Sequence, residues 1–338
     1  MNTIPLHLLP DKAFKRVLRS MEIYDQLAYS LCSINTKKSI KSLNLRAESI
    51  SFCVYDLIEM EMCFENSVEI SCYLEHEYSF PHNKIIALKG IEVSVYDRAE
   101  KVTEWKWNFQ NFEFKVWLHH FCEVFHHPRI NLSFSVEQID DSFIGPVQEV
   151  IKGLQIVLLF LSNQLTNEII TEVLERFHNY EQLHIARVPF NNQEVYKMDK
   201  VLIQNLKSVS IREAQRINLD QILSSNCEEV KLVDSTLTRE EFKVLVKLWI
   251  RGSNSKLSYF SACQTLIPTQ LNHPFDEKVF LKGIKHTKVP MDSKEMYKMK
   301  YEYSSYEIQL AGGYRISRFD GTNAVVMIYE RMFRLIVV

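Results

Sequence analysis

Glycine is scarce in this chain, with eight in 338 residues. None of them falls into G-x-G-x-x-G or G-x-x-x-x-G-K-[ST], and no G-x-S-x-G occurs. A loop that cradles phosphate needs backbone that approaches closely and adopts positive φ, which glycine supplies. The familiar nucleotide sites and the hydrolase elbow are thus missing from the sequence. No H-E-x-x-H stands in for a zinc site either. No cofactor and no catalytic residue is expected. Charge of one sign is also lacking. The net charge is −2, so no global field draws the chain to nucleic acid or to a membrane. Long apolar runs are absent: the longest is Ile156 to Leu161, against about 20 residues for a membrane span. The seven cysteines form no C-x-x-C pair. They read as buried free thiols of a reducing compartment, cytoplasm or nucleus.

What is present is an ordinary globular composition, 46% hydrophobic and 24% charged. The length predicts two or three domains. The segment "PLHLLPDKAFKRVLRSM", residues 5–21, is sticky but interrupted by Asp11, Lys12, Lys15, Arg16 and Arg19. A secretory leader needs an unbroken apolar stretch, so this segment is read as the first helix of the fold. Residues 10–46 predict three short helices. Phe14, Val17, Leu18 and Met21 make one apolar stripe, and Leu27, Leu31 and Ile34 a second. Pro10 and Asp11 suit a helix start, and Ser33 suits the cap of a third helix running to about Leu43.

The pattern then changes. "SISFCVYD", "VEISCYL" and "GIEVSVYD" alternate like strands; a helix follows at about 111–126 and a strand at "RINLSFSV". From about residue 150, strand-like segments alternate with helix-like ones. With Val157, Leu183, Val209, Val230 and Leu257 taken as equivalent, the steps are 26, 26, 21 and 27 residues. That is the spacing of leucine-rich repeats, whose units must stack because none buries its own apolar face. The tail predicts a hairpin around Asp320-Gly321. The expected fold is mixed α/β: a three-helix segment at 1–46, a β-rich segment at 47–149, and strand–helix units with a C-terminal β-hairpin over 150–338.

Three features invite sharper readings. "WLHHFCEVFHHPR" gathers His119, His120, Cys122, His126 and His127, residue types that zinc favours. A zinc hydrolase built here is one option, but no acidic ligand of standard spacing accompanies them. They read instead as histidines on a helix flank. Residues 278–300 carry seven Lys against Asp292 and Glu295, a local charge of +5. This reads as a solvated charged run, with an acidic recognition motif as the sharper alternative; aromatic interleaving is too sparse for a nucleic-acid module. Trp105 and Trp107 would share a face of a strand and read as core.

The opening segment together with "EIYDQLAYSLCSINTKKSI" resembles an F-box. The resemblance rests on Leu9-Pro10, then Phe14, Val17-Leu18 and Met21, then Leu27 and Leu31. The aromatic usual near the start of the third F-box helix is replaced by Thr36, Lys37 and Lys38. This fits the divergent F-boxes of a nematode-expanded family with a type 2 F-box-associated domain. "LTREEFKVLVKLWIRGSNSKLSYF" and "GGYRISRFDGTNAVVMI" resemble segments of that same family. The resemblance implies a non-catalytic substrate receptor of a Skp–cullin–F-box ubiquitin ligase. It implies that the first domain docks on a Skp-type adaptor, and through it a cullin. The remainder would bind an unidentified protein. Leu8, Leu9, Pro10, Phe14, Val17, Leu18, Met21, Leu27 and Leu31 are the candidate docking set, to be divided between the helices' own core and the adaptor. Three helices of this size leave much apolar surface bare, which a partner would cover. The alternative is a leucine-rich-repeat-like protein-binding scaffold whose F-box has decayed and which has no ligase role.

Overall fold

A computed structural model describes the chain except residues 1–5, 56–57, 65–67, 75–90, 98–99, 108–113, 136–140, 192–193, 195–196, 265–276 and 302–303. It forms two compact units, residues 1–157 and 158–338. The F-box-like helices share the first unit with the β-rich segment.

In the first unit, a single 3-10 turn at Leu6–Leu8 leads into α1 (Asp11–Ser20), α2 (Ile23–Leu31) and α3 (Ile34–Lys41). Asp11 stands in the first turn of α1 and pairs with Lys15 at 3.2 Å, one helical turn on. Ser33 caps α3 as expected. Its hydroxyl accepts the Thr36 N–H, and the Thr36 hydroxyl accepts the Ser33 N–H. That box stops α2 at Leu31 and starts a new helix three residues later.

Five antiparallel neighbours follow: β1 (Ser49–Val54), β2 (Ile58–Phe64), β3 (Val68–Leu74), β4 (Ile91–Asp97) and β5 (Glu100–Trp107). Helix α4 (Phe114–Val124) then returns the chain to β6 (Arg129–Phe134), which lies parallel to β1. Helix α5 (Asp141–Val150) closes the unit. Trp105 and Trp107 lie in β5 opposite Val93 and Ile91; their side chains are outside the described residues. The alternation is visible in the register. One row pairs Phe52, Met60 and Cys72, all buried, and Phe52 stacks on Phe114 of α4 at 4.9 Å. The neighbouring row pairs Ser51, Glu61, Ser71 and Ser94.

The second unit runs β7 (Gln155–Leu161), α6 (Asn167–Arg176), β8 (Gln182–Arg187), α7 (Lys197–Leu202), β9 (Ser208–Glu213), α8 (Leu219–Ser224), β10 (Glu229–Leu232), α9 (Arg239–Ile250) and β11 (Tyr259–Cys263), with β7 entering it at Leu158. The five strands are parallel neighbours. Side-chain caps at Thr166, Asn218 and Thr238 start three of the helices. Stacked across the strands are Leu159, Leu183, Val209, Val230 and Phe260, and one pleat on, Leu161, Ile185, Ile211, Leu232 and Ala262. All ten are at most 1% exposed. Two positions of the expected equivalence move. Leu159, not Val157, is the β7 partner; the two share a face, so alternation alone does not separate them. Phe260, not Leu257, is the β11 partner, because Leu257 is buried ahead of the strand.

Beyond β11 come α10 (Glu277–Leu281), β12 (Thr287–Lys288), a hairpin of β13 (Met296–Tyr301) and β14 (Ser304–Gln309), then β15 (Tyr314–Ser317), β16 (Asn323–Ile328) and β17 (Met332–Val337). The expected hairpin around Asp320-Gly321 is β15–β16. β17 runs antiparallel along β11, and the order continues through β16 and β15 to β12.

Glu61 gives a test of the first unit's polar row. Burial, then Glu59 and Glu69, push its carboxyl from 4.5 up to about 7. A raised carboxyl contributes stability that is complete below pH 4.5 and lost as pH rises through 7. Glu61→Gln is therefore expected to match the parent at pH 4.5 and to exceed it by about 1–2 kcal/mol at pH 8 in urea melts. An equal effect at both pH values contradicts the buried-carboxyl account.

Candidate functional site

The candidate docking residues divide by burial. Leu18 and Leu27 are fully buried, with Ile40, in the core of the three helices. The Gln26 side-chain amide ties α2 to the end of α1, donating to the carbonyls of Leu18 at 2.8 Å and Met21 at 3.0 Å. Leu18 and Leu27 thus hold the helices together and are not open to a partner. Leu9, Phe14, Met21 and Leu31 are half-buried, whereas Pro10 is exposed. Leu8 is 67% exposed and Val17 37%. One exposed residue lay outside the candidate set: Ile34, at 74%, is the most exposed apolar side chain of these helices. Its spacing from Leu27 and Leu31 places it on their stripe only if the helix continues. The Ser33 capping box breaks the helix and takes Ile34 out of the stripe. The signal was the serine.

Helix α4 covers the other side of the three helices. It is buried over a broad face, at Phe114, Trp117, Leu118, His120, Phe121, Cys122 and Val124. A face that broad needs cover from more than one element. Its first phenyl group meets the sheet, Phe114 stacking on Phe52. Its polar groups meet the helices. Ser30 gives its hydroxyl hydrogen to the Leu27 carbonyl, so the buried contact at 2.8 Å to His120 Nε2 is an N–H donated to Ser30 Oγ. Glu123 takes Lys37 at 2.7 Å and Lys41 at 2.9 Å. The two ammonium groups hold its carboxyl down at about 2. His126 Nε2 donates to the Lys41 carbonyl at 2.9 Å.

This accounts for the histidine-rich stretch. His119 reaches the Val150 carbonyl at 3.1 Å, His120 reaches Ser30, and His126 reaches Lys41. The rings diverge to three different partners. Cys122 is buried, and burial pushes its thiol up to about 12. Among the described residues no three His, Cys, Asp or Glu side chains come together in a way that would hold a metal ion. No helix among them is long and apolar enough to cross a membrane.

In the second unit the two family-like segments meet. The Arg318 guanidinium lies over the Trp249 ring at 5.3 Å and donates to Asp320 at 2.9 Å, the Ser255 carbonyl at 3.2 Å and Thr322 at 3.0 Å. The Phe319 N–H donates to the Ile250 carbonyl at 3.1 Å. Gly252, with φ +99°, lies under the Phe319 ring, and a Cβ there would stand 2.4 Å from it. Asn254 donates to the carbonyls of Ile222, Leu223 and Ser225 at the end of α8. These residues clasp the β15–β16 turn to the end of α9. Their chemistry is consumed internally.

Comparison with known proteins agrees with this arrangement. Residues 6–48 match the F-box domain family, and residues 197–262, from α7 to β11, match the family described as F-box associated. The chain is 23% identical over 344 residues to the F-box associated domain-containing protein sdz-33 of Caenorhabditis elegans, an alignment covering 100% of this chain and 99% of that one. No solved structure matches it.

The contact of α2 with α4 has a pH limit. Burial, and then Lys37, lower His120 from 6.5 to about 4. Such a group contributes stability that is present above pH 6.5 and lost as pH falls through 4. Acidification from pH 7 to 4.5 is expected to lower the opening free energy of α2–α3 amides by about 2 kcal/mol in hydrogen exchange. His120→Asn flattens that dependence. An unchanged slope in the variant rules out His120 as its source.

Proposed function

We propose that this chain, an F-box protein with a type 2 F-box-associated domain like its nematode relative, is the substrate-recognition subunit of a Skp–cullin–F-box ubiquitin ligase. The observation that carries the reading is the apolar surface left on the F-box helices once their own core is closed. Leu18, Leu27 and Ile40 make that core. Leu8, Leu9, Pro10, Phe14, Val17, Met21 and Leu31 are the adaptor-facing set, with Ile34 added. Exposed apolar groups gathered on α1 and at the start of α3 are what a helical adaptor would bury.

The second unit binds the protein to be modified. Its parallel strands and intervening helices are read as leucine-rich-repeat-like units. The receptor has no chemistry of its own. It raises the local concentration of substrate lysines near the charged conjugating enzyme, and that effect is set by tethering geometry. All seven cysteines are free, which fits the cytoplasm or nucleus.

One observation favours the rival scaffold. Helix α4 binds the F-box helices through Ser30, Lys37 and Lys41. Those helices therefore have a structural reason to persist without an adaptor.

Adaptor binding separates the two readings. The full chain is expected to co-purify with a Skp-type adaptor. Leu8→Asp with Val17→Glu and Ile34→Asp is expected to weaken binding about 100-fold or more while leaving the melting temperature unchanged, because all three side chains face solvent. A triple variant that binds as the parent does overturns the ligase reading and leaves the scaffold.

A further inference from the structure

The lysine run at 278–300 is the sequence feature that neither the fold nor the F-box absorbs. The structure gathers part of it around a cavity of about 530 Å³ lined by Glu277, Lys278, Leu281, Lys282, His286, Lys288 and Tyr314. That volume suits a bound side chain or a short peptide segment. Leu281 and Tyr314 are buried and form the floor. Lys278, Lys282, His286 and Lys288 are exposed and form the rim.

The single acid of the lining, Glu277, is engaged by the Tyr314 hydroxyl, which donates to it. Among the described residues, no carboxylate lies within ion-pair distance of Lys282 or Lys288. The nearby acid Glu295 is taken by Arg315. His286 is oriented as well: its Nδ1–H donates to the Ile284 carbonyl at 2.7 Å, and its ring stands edge-on to Tyr314 at 5.5 Å. Its Nε2 is left out of that contact. The cavity therefore has fixed walls and a cationic rim.

Its position adds a second element. β12 is two residues long, pairs with β15, and ends the strand order among the described residues. A sheet edge beside a cationic cavity accepts an extended chain through its main-chain groups, with the cavity taking an anionic side chain. A nucleic acid would want exposed rings on which to stack bases. The one aromatic phenol here is buried, with its hydroxyl tied to Glu277.

We propose that the cavity between α10 and the β12–β15 edge binds an acidic segment of the recognised protein, its carboxylate or phosphate groups held by Lys282 and Lys288. This rests on the reading of the second unit as the substrate-binding part. It adds the chemical class of what is bound.

The test uses the full chain, fluorescence anisotropy and four probes: a hexaglutamate peptide, a doubly phosphorylated serine peptide, a hexaglutamine peptide and a single-stranded oligouridine. Binding of the glutamate or phosphoserine peptide, weakening with salt, and none of the glutamine peptide is expected; whichever anion binds tighter identifies the source of charge. Lys282→Glu with Lys288→Glu is expected to weaken peptide binding about tenfold or more. Lys294→Glu with Lys298→Glu, the same charge change away from the cavity lining, is expected to weaken it about twofold or less. Equal losses in the two double variants overturn the proposal, as do absence of anionic-peptide binding and preferential binding of oligouridine. Adaptor co-purification is measured on the same variants. Adaptor binding that is lacking throughout, with peptide binding intact, fails the ligase reading alone; peptide binding that is lacking, with adaptor binding intact, fails this one alone.

Discussion

Helix α4 cannot stand with either flank bare. Seven of its eleven residues are buried, on one broad face that leaves only Lys115, Val116, His119 and Glu123 on the other. One flank is satisfied by the β1–β6 sheet through stacked rings. The other is satisfied by the F-box helices, but by a different chemistry: a neutral imidazole on a serine and one carboxylate between two ammonium groups. The apolar side supplies most of the driving force, since exposed ion pairs are worth about 1 kcal/mol or less each. The polar side supplies direction. A helix held only by rings can slide; one held at Ser30, Lys37 and Lys41 has a fixed register against α2 and α3.

This constraint changes what the F-box helices are. By length alone, three short helices need a partner to complete their core. Part of that partner is already in the chain. The apolar side chains left exposed are fewer: Leu8 before α1, Val17 on it and Ile34 at the start of α3. The second unit solves the same problem differently. Across its parallel strands two rows of stacked side chains, aliphatic but for Phe260, are buried together.

Much of this is legible in residue order. The α1 stripe, the Ser33 cap, the strand–helix alternation and the Asp320-Gly321 turn are all local patterns, with causes inside a window of ten or so residues. What escapes local reading is relational. Leu18 and Val17 are neighbours with the same apolar character; only the packing makes one core and the other surface. Val157 and Leu159 share a face, so nothing local says which one meets Leu183. The histidines look like a metal set because they are adjacent in sequence, yet His119, His120 and His126 reach three different partners. Arg318 and Trp249 lie 69 positions apart, so their contact has no local trace at all. Their residue types are nonetheless specified by it, since only a planar cation covers an indole while forking to Asp320 and Thr322.

The antiparallel course of β17 along β11 has a consequence for how such a chain can lengthen. A further strand–helix pair needs an open parallel edge beside the last strand, with room for a right-handed crossover. β17 occupies that edge and runs the wrong way to offer another. A unit added directly after β11 would have to displace β17. A further unit fits between β7 and β11, where every junction repeats the same parallel contact.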